Sequence, residues 1–236
     1  MISSKKALIM KKIVYLVALV AISLLFVQCE QNGMGRASGA HNGHEYVDLG
    51  LPSGLKWATC NVGAESPEGY GDYFAWGEVE PKTTYNWSTY KYGTASDQLT
   101  KYCNNSSYGK DGFTDNKTEL DPEDDAATVN WGGKWRMPTK EEQDELLNNC
   151  AWTWISQNGV NGYKVTGPNG NSIFLPAVGN MDGGRFYDAG LYGAYWSSSL
   201  NADSPGIAYN VGFSSGNVGW YGNLLYYGLT VRPVCK

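Results

Sequence analysis

The sequence predicts an α+β domain, a loop-rich antiparallel sheet with two short helices. Three observations carry that expectation. Apolar runs are short and separated by turn signals such as Asn158-Gly159 and Pro168-Asn-Gly170. Only two segments carry helix-start signals. No tandem repeat recurs at a fixed period. With 236 residues, the chain holds roughly one domain beyond any leader.

Each element follows from local chemistry. Tyr46-Val-Asp-Leu49 and Leu55-Lys-Trp-Ala-Thr-Cys60 read as strands around a Pro52-Ser-Gly54 turn. Residues 61–118 mix aromatics with Gly, Asn, Ser and Thr and read as loops, with one short strand at Tyr73 to Trp76. The first helix is expected with Asp121 at N-cap, Pro122 at the first helical position and acids in the first turn, ending at Asn130-Trp-Gly-Gly133. The second opens on Pro138-Thr-Lys-Glu-Glu142, a capping box with Thr139 at N-cap and Glu142 at N3. It runs to about Asn149 and buries Leu146 and Leu147. A meander follows, with strands at Trp152 to Ser156, Tyr163 to Gly167 and Ser172 to Leu175. Tyr195 to Ser199, Ile207 to Phe213 and Leu229 to Val234 complete the strands.

The chain opens as a targeting segment. Lys11-Lys12 precede a fifteen-residue apolar run, Ile13 to Val27, too short for an ordinary membrane span. Met10 is an alternative start. The run stops at Phe26-Val27-Gln28-Cys29, a placement that resembles a bacterial lipobox, with Gln28 standing where a small residue is usual. The expectation is a signal over residues 1–29, lipidation of Cys29, and a membrane lipoprotein held through its lipid. A plain cleaved signal and an uncleaved anchor are the alternatives. Residues 30–44 read as a flexible tether and residues 45–236 as the domain.

Loss of the leader leaves 14 basic against 23 acidic residues, a net charge of −9, with no basic patch. Nucleic acid is therefore not an expected partner. Cys60, Cys103, Cys150 and Cys235 follow Cys29. In an oxidising compartment they allow three pairings, and buried free thiols are the alternative. No CxxC occurs, and the only histidines, His41 and His44, fall in the expected tether. That argues against His-based catalysis and His-ligated metal within the domain. The run Asp111, Asp115, Glu119, Asp121, Glu123, Asp124, Asp125 offers oxygen ligands for calcium, but matches no EF-hand and also suits a solvated face with capping roles. Glu78 and Glu80, among Tyr73, Phe74, Trp76 and Trp87, are the best-placed pair for glycoside chemistry. No phosphate-binding loop is present. The expectation is a non-enzymatic protein with no cofactor and no metal.

Several blocks resemble one known family. Trp57-Ala-Thr-Cys-Asn-Val-Gly-Ala64, Tyr73-Phe-Ala-Trp-Gly-Glu78, Asp124-Asp-Ala-Ala127, Gly132-Gly-Lys-Trp-Arg-Met-Pro-Thr139, Tyr195-Trp-Ser-Ser198 and Val231-Arg-Pro-Val234 are similar to the Fibrobacter succinogenes major paralogous domain. The likeness spans about residues 45–236. It implies a C-type-lectin-like fold akin to that of formylglycine-generating enzymes, and an outer-membrane lipoprotein of the kind abundant in gut Bacteroidetes, on the periplasmic face or the cell surface. The oxidase activity of the formylglycine-generating relatives is a remote alternative, because Cys235 is the only cysteine in the C-terminal third and their cysteine pair is not evident.

The segment Phe186 to Gly228 is the most informative. Its 43 residues hold seven Tyr, eight Gly, six Ser and four Asn, and no Lys, Arg, Glu, Gln, His, Met, Cys or Thr. Antibody contact loops use that mixture, since Tyr gives large contact area with few rotamers to freeze. The composition also resembles lectin-fold proteins diversified by retroelements, in which adenines of Asn codons are randomised. The expected contact residues are Tyr187, Asp188, Leu191, Tyr192, Leu200, Asn201, Tyr221, Asn223, Leu224, Tyr226 and Tyr227. Tyr195, Trp196, Tyr209 and Phe213 are expected in the core. The expected partner is a protein or a surface glycan; the rival expectation is a structural envelope lipoprotein with no dedicated ligand.

Overall fold

The computed structural model describes residues 37–236; the leader and Cys29 lie outside the described residues. In chain order the strands are β1 (Gly39–His41), β2 (His44–Asp48), β3 (Lys56–Ala58), β4 (Ala151–Gln157), β5 (Val160–Thr166), β6 (Ser172–Pro176), β7 (Asn180–Asp182), β8 (Arg185–Tyr187), β9 (Tyr192–Leu200), β10 (Ile207–Ser214), β11 (Asn217–Leu224) and β12 (Val234–Cys235). Two short helices, α1 (Ala126–Trp131) and α2 (Lys140–Asn149), lie between β3 and β4. The sheets are antiparallel and ordered β1-β2-β3-β12, β11-β10-β9, β4-β5-β6 and β7-β8. Strands outweigh helix and loops are long, so the class is α+β or mainly β.

The first hairpin corrects the expected tether. β1 and β2 join through Asn42-Gly43, both left-handed (φ 47° and 84°), the requirement of a type I′ turn. Residues 39–44 are therefore part of the domain, and so are both histidines. The His44 ring stacks on Trp131 at 3.8 Å and 4°, and His41 Nε2 accepts the Lys134 N–H at 2.9 Å. The domain therefore does contain imidazole groups, contrary to the expectation from their place in the sequence. Asn158-Gly159 turns β4 into β5 by the same chemistry (φ 49° and 82°).

The helices follow capping. Thr139 and Glu142 form the expected reciprocal box at the start of α2, which buries Gln143 and Leu146, while Leu147 is only partly covered. For α1 the cap is Asp125, not Asp121. Pro122–Asp124 form a 3-10 turn, and the Asp125 carboxylate accepts the N–H groups of Thr128 (2.9 Å) and Met137 (2.8 Å). Gly132 ends the helix at φ 64°.

Two expected strands are shorter than anticipated. Near Tyr73–Trp76 the only β-pairing is a single bridge, Phe74 to Leu229. Of 229–234, only Val234 lies in a strand, although Thr230 also bridges Tyr195. Conversely, β7, β8 and β11 form where only loops were expected.

Two apolar cores result. One gathers Trp76, Trp135, Trp196, Tyr102 and Leu225; the other gathers Trp57, Tyr163, Leu175, Tyr195, Val211 and Phe213. Tyr195, Trp196 and Phe213 are buried as expected, whereas Tyr209 is only half-buried. Arg232 is buried and donates to Asn61 Oδ1 and to the carbonyls of Ala58, Thr59 and Phe174, at 2.8–3.1 Å. The described residues, 37–236, form one compact unit containing both cores. Cys60, Cys103, Cys150 and Cys235 are free thiols.

Much of the acidic run makes internal contacts, while Asp111 and Glu123 are exposed. Asp124 takes bonds from Lys101, Tyr102, Lys91 and Tyr92, and Asp115 accepts the N–H groups of Tyr102 and Cys103. Burial alone would push the Asp124 carboxyl up; the lysine and tyrosine donors outweigh it and hold it at about 2.

Candidate recognition face

Five large apolar side chains among the described residues are exposed: Val129, Phe186, Tyr187, Leu191 and Tyr221. Four of them fall between 186 and 221. The arrangement that exposes them starts from glycine. Gly179 sits at φ 67°, where an added Cβ would lie 2.1 Å from the Tyr187 carbonyl. The chain therefore passes close to β8. After β8, Asp188 is left-handed (φ 56°) and its carbonyl accepts the N–H groups of Leu191 (3.0 Å) and Tyr192 (2.9 Å). This tight turn places Leu191 and Tyr192 directly after β8, with Leu191 67% exposed.

Tyr192 then meets Tyr221 of β11, with Gly212 beneath both rings. Asn217 Nδ2 donates to the Tyr221 hydroxyl at 2.7 Å and so holds that ring on the surface. Burial, with Tyr221 and Asp188 nearby, pushes the Tyr192 phenol up to about 12. Tyr192 is thus a neutral hydrogen-bonding group at ordinary pH.

Tyr226 and Tyr227 behave differently. Their rings stack at 4.9 Å, and Tyr226 meets Trp87 at 5.2 Å and 69°. Both pack partly against the first core. Burial, with Tyr227 and Asp182 beside it, pushes Tyr226 up to about 12. These two rings are half-buried, which corrects the expectation of free exposure. Trp87, from a loop distant in sequence, covers part of Tyr226.

The other expected contacts divide. Leu200 is 3% exposed, pairs with Ala208 and belongs to the first core, so it is removed from the face. Asn201 is half-buried in the β9–β10 connection, where its Oδ1 accepts the Asp203 N–H at 3.0 Å. Asn223 and Leu224 are half-buried at the end of β11, opposite Ala208 and Ile207. Sequence reasoning missed Phe186, whose ring is 45% exposed while its edge contacts Tyr73 at 5.2 Å. It also missed Trp220, half-buried under Lys140 (4.8 Å from the ring centroid) with its indole N–H on Asp144. The alternation of β11 would have flagged Trp220, had the strand been read.

A separate groove of about 370 Å³ is lined by His44, Glu45, Thr59, Cys60, Glu65 and Trp131, and by none of the expected contact residues. Glu78, one of the two carboxylates considered for glycoside chemistry, is paired with Lys82 at 2.8 Å. Among the described residues no helix is long and apolar enough to cross a membrane, and no cluster of His, Cys, Asp and Glu has metal-binding geometry. No protein-family model, curated protein or solved structure matches the chain, so the family likeness rests on its sequence blocks.

Proposed function

We propose that this protein is an envelope-tethered, non-enzymatic recognition module. Its scaffold is read as C-type-lectin-like from the sequence blocks, and its outer-membrane lipid anchor from Cys29. The contact surface is an arc running through Tyr187, Leu191, Tyr192 and Tyr221, with Tyr226 and Tyr227 at its inner margin. One observation carries the reading: four of five exposed large apolar side chains among the described residues fall in one Tyr/Gly/Ser/Asn segment. Clustered exposed apolar groups mark interaction sites, and rigid aromatics bury area at low entropy cost. The ligand is a protein or a surface glycan that takes these rings into a pocket, with Asn and Ser forming the rim. Retroelement diversification of this segment fits its composition and is tested by a template repeat and reverse-transcriptase gene nearby.

The half-burial of Tyr226 and Tyr227 favours the alternative, a structural envelope protein. A glycan array and a cell-surface pull-down separate the two. Recognition predicts specific capture that Tyr187→Ser, Leu191→Ser and Tyr221→Ser together reduce by about a hundredfold, as expected for the loss of central anchors. Absence of capture, or capture unchanged in the triple variant, defeats the recognition reading.

A further inference from the structure

Strand β11 ends its sheet, and the ladder fixes which of its groups point outward. The Leu225 N–H bonds the Gly206 carbonyl at 3.3 Å, extending the β10–β11 register. In an antiparallel pair, hydrogen-bonded residues alternate. Asn217, Gly219, Tyr221 and Asn223 therefore bond to β10, while the N–H and C=O groups of Val218, Trp220 and Gly222 point away from it. Among the described residues those outward groups have no partner.

Native edges are guarded by Lys, Pro, bulges or charges. β11 reads Asn-Val-Gly-Trp-Tyr-Gly-Asn-Leu, with no charge and no Pro, and pairs with β10 over eight unbroken positions. The whole chain carries a net charge of −5, so two copies repel over much of their surface. An uncharged edge is where they can meet without apposing like charges.

The strand is also complementary to itself. An antiparallel pair centred on Trp220 sets Val218 against Gly222, Gly219 against Tyr221 and Asn217 against Asn223 of the other copy, twice over. Every outward group of Val218, Trp220 and Gly222 then gains a partner. Nothing lies within 4 Å of where a Gly219 side chain would sit, and Tyr221 is 39% exposed. The Gly219 side of each cross-copy Gly219–Tyr221 pair is thus open, so the two strands can approach there without a side-chain clash.

We propose that β11 pairs with β11 of a second copy about a twofold axis at Trp220, joining two three-stranded sheets into one of six. The two aromatic arcs then lie side by side, which gives divalent presentation. The test needs no ligand, so it is independent of the recognition reading. Sedimentation equilibrium on residues 35–236 should show a monomer–dimer equilibrium. Hydrogen exchange at the Val218, Trp220 and Gly222 amides should slow as concentration rises. Asn217→Asp with Asn223→Asp apposes carboxylates across the axis and should weaken the dimer at least about tenfold. Asn217→Lys with Asn223→Asp should restore it. A protein that stays monomeric up to about 1 mM, the weak end of specific association, overturns the proposal. So does a dimer indifferent to the paired aspartates, or one not restored by the Lys–Asp pair.

Discussion

Tyr192 and Tyr221 meet edge to face, with ring centroids 6.1 Å apart and planes at 85°. Their meeting depends on Gly212: a Cβ there would lie 2.2 Å from the Tyr192 hydroxyl and 2.6 Å from the Tyr221 ring. The absence of one side chain therefore sets the position of two others. Gly212→Val should displace both rings at a cost of about 1–3 kcal/mol. Ring-proton chemical shifts of the two tyrosines, with a thermal melt, check it; unchanged shifts would remove glycine from this role.

The tyrosines of the segment should separate by stability. Tyr226 packs on Trp87 and the core, so Tyr226→Ala should cost about 2 kcal/mol, below the range for a fully buried aromatic. Tyr221→Ala should stay within about 0.5 kcal/mol. Urea denaturation of both variants measures the difference.

Asp124 should resist protonation to lower pH than an ordinary carboxylate. Its folded carboxyl, at about 2, lies below the ordinary carboxylate value of 3.8. A depressed carboxylate adds stability above the unfolded value, and that stability is lost as pH falls through the folded one. The loss should therefore span roughly pH 4 to 2 and amount to about 2 kcal/mol. Asp124→Asn should abolish that part of the acid limb in pH-dependent melts and leave Lys101 without its 2.6 Å partner.

Arg232 is a third kind of test, because it binds no carboxylate. Four acceptors on two stretches far apart in sequence, 58–61 and Phe174, converge on its guanidinium. Arg232→Met keeps the volume but strands those acceptors, at about 1–3 kcal/mol for each group left buried and unpaired. The expected total is at least about 3 kcal/mol by chemical denaturation.

What the sequence disclosed was local chemistry. The Thr139–Glu142 box, the Asn158-Gly159 turn and the Leu175 and Phe213 strands were legible because each is decided within a few residues. Asp125 displaced Asp121 as the α1 cap because Met137, across the fold, needs an acceptor. The hairpin at Asn42-Gly43 carried its turn signal, but its flanks hold too little apolar surface to look like strands. Tyr226 could not be placed without Trp87, and Leu200 could not be told from Leu191 without the β9–β10 register. Exposure within the aromatic segment is a tertiary property, so composition named the region and not its members.

The last feature is the pairing of Val234 with Trp57. It returns the carboxyl end to the sheet that β1 begins, after the aromatic segment has passed. Residues 187–221 thus sit between anchorages on either side, β6 before and β12 after. Their outward side chains are not needed to close the topology, and a lineage could exchange Tyr187, Leu191 or Tyr221 repeatedly while inheriting an unaltered frame.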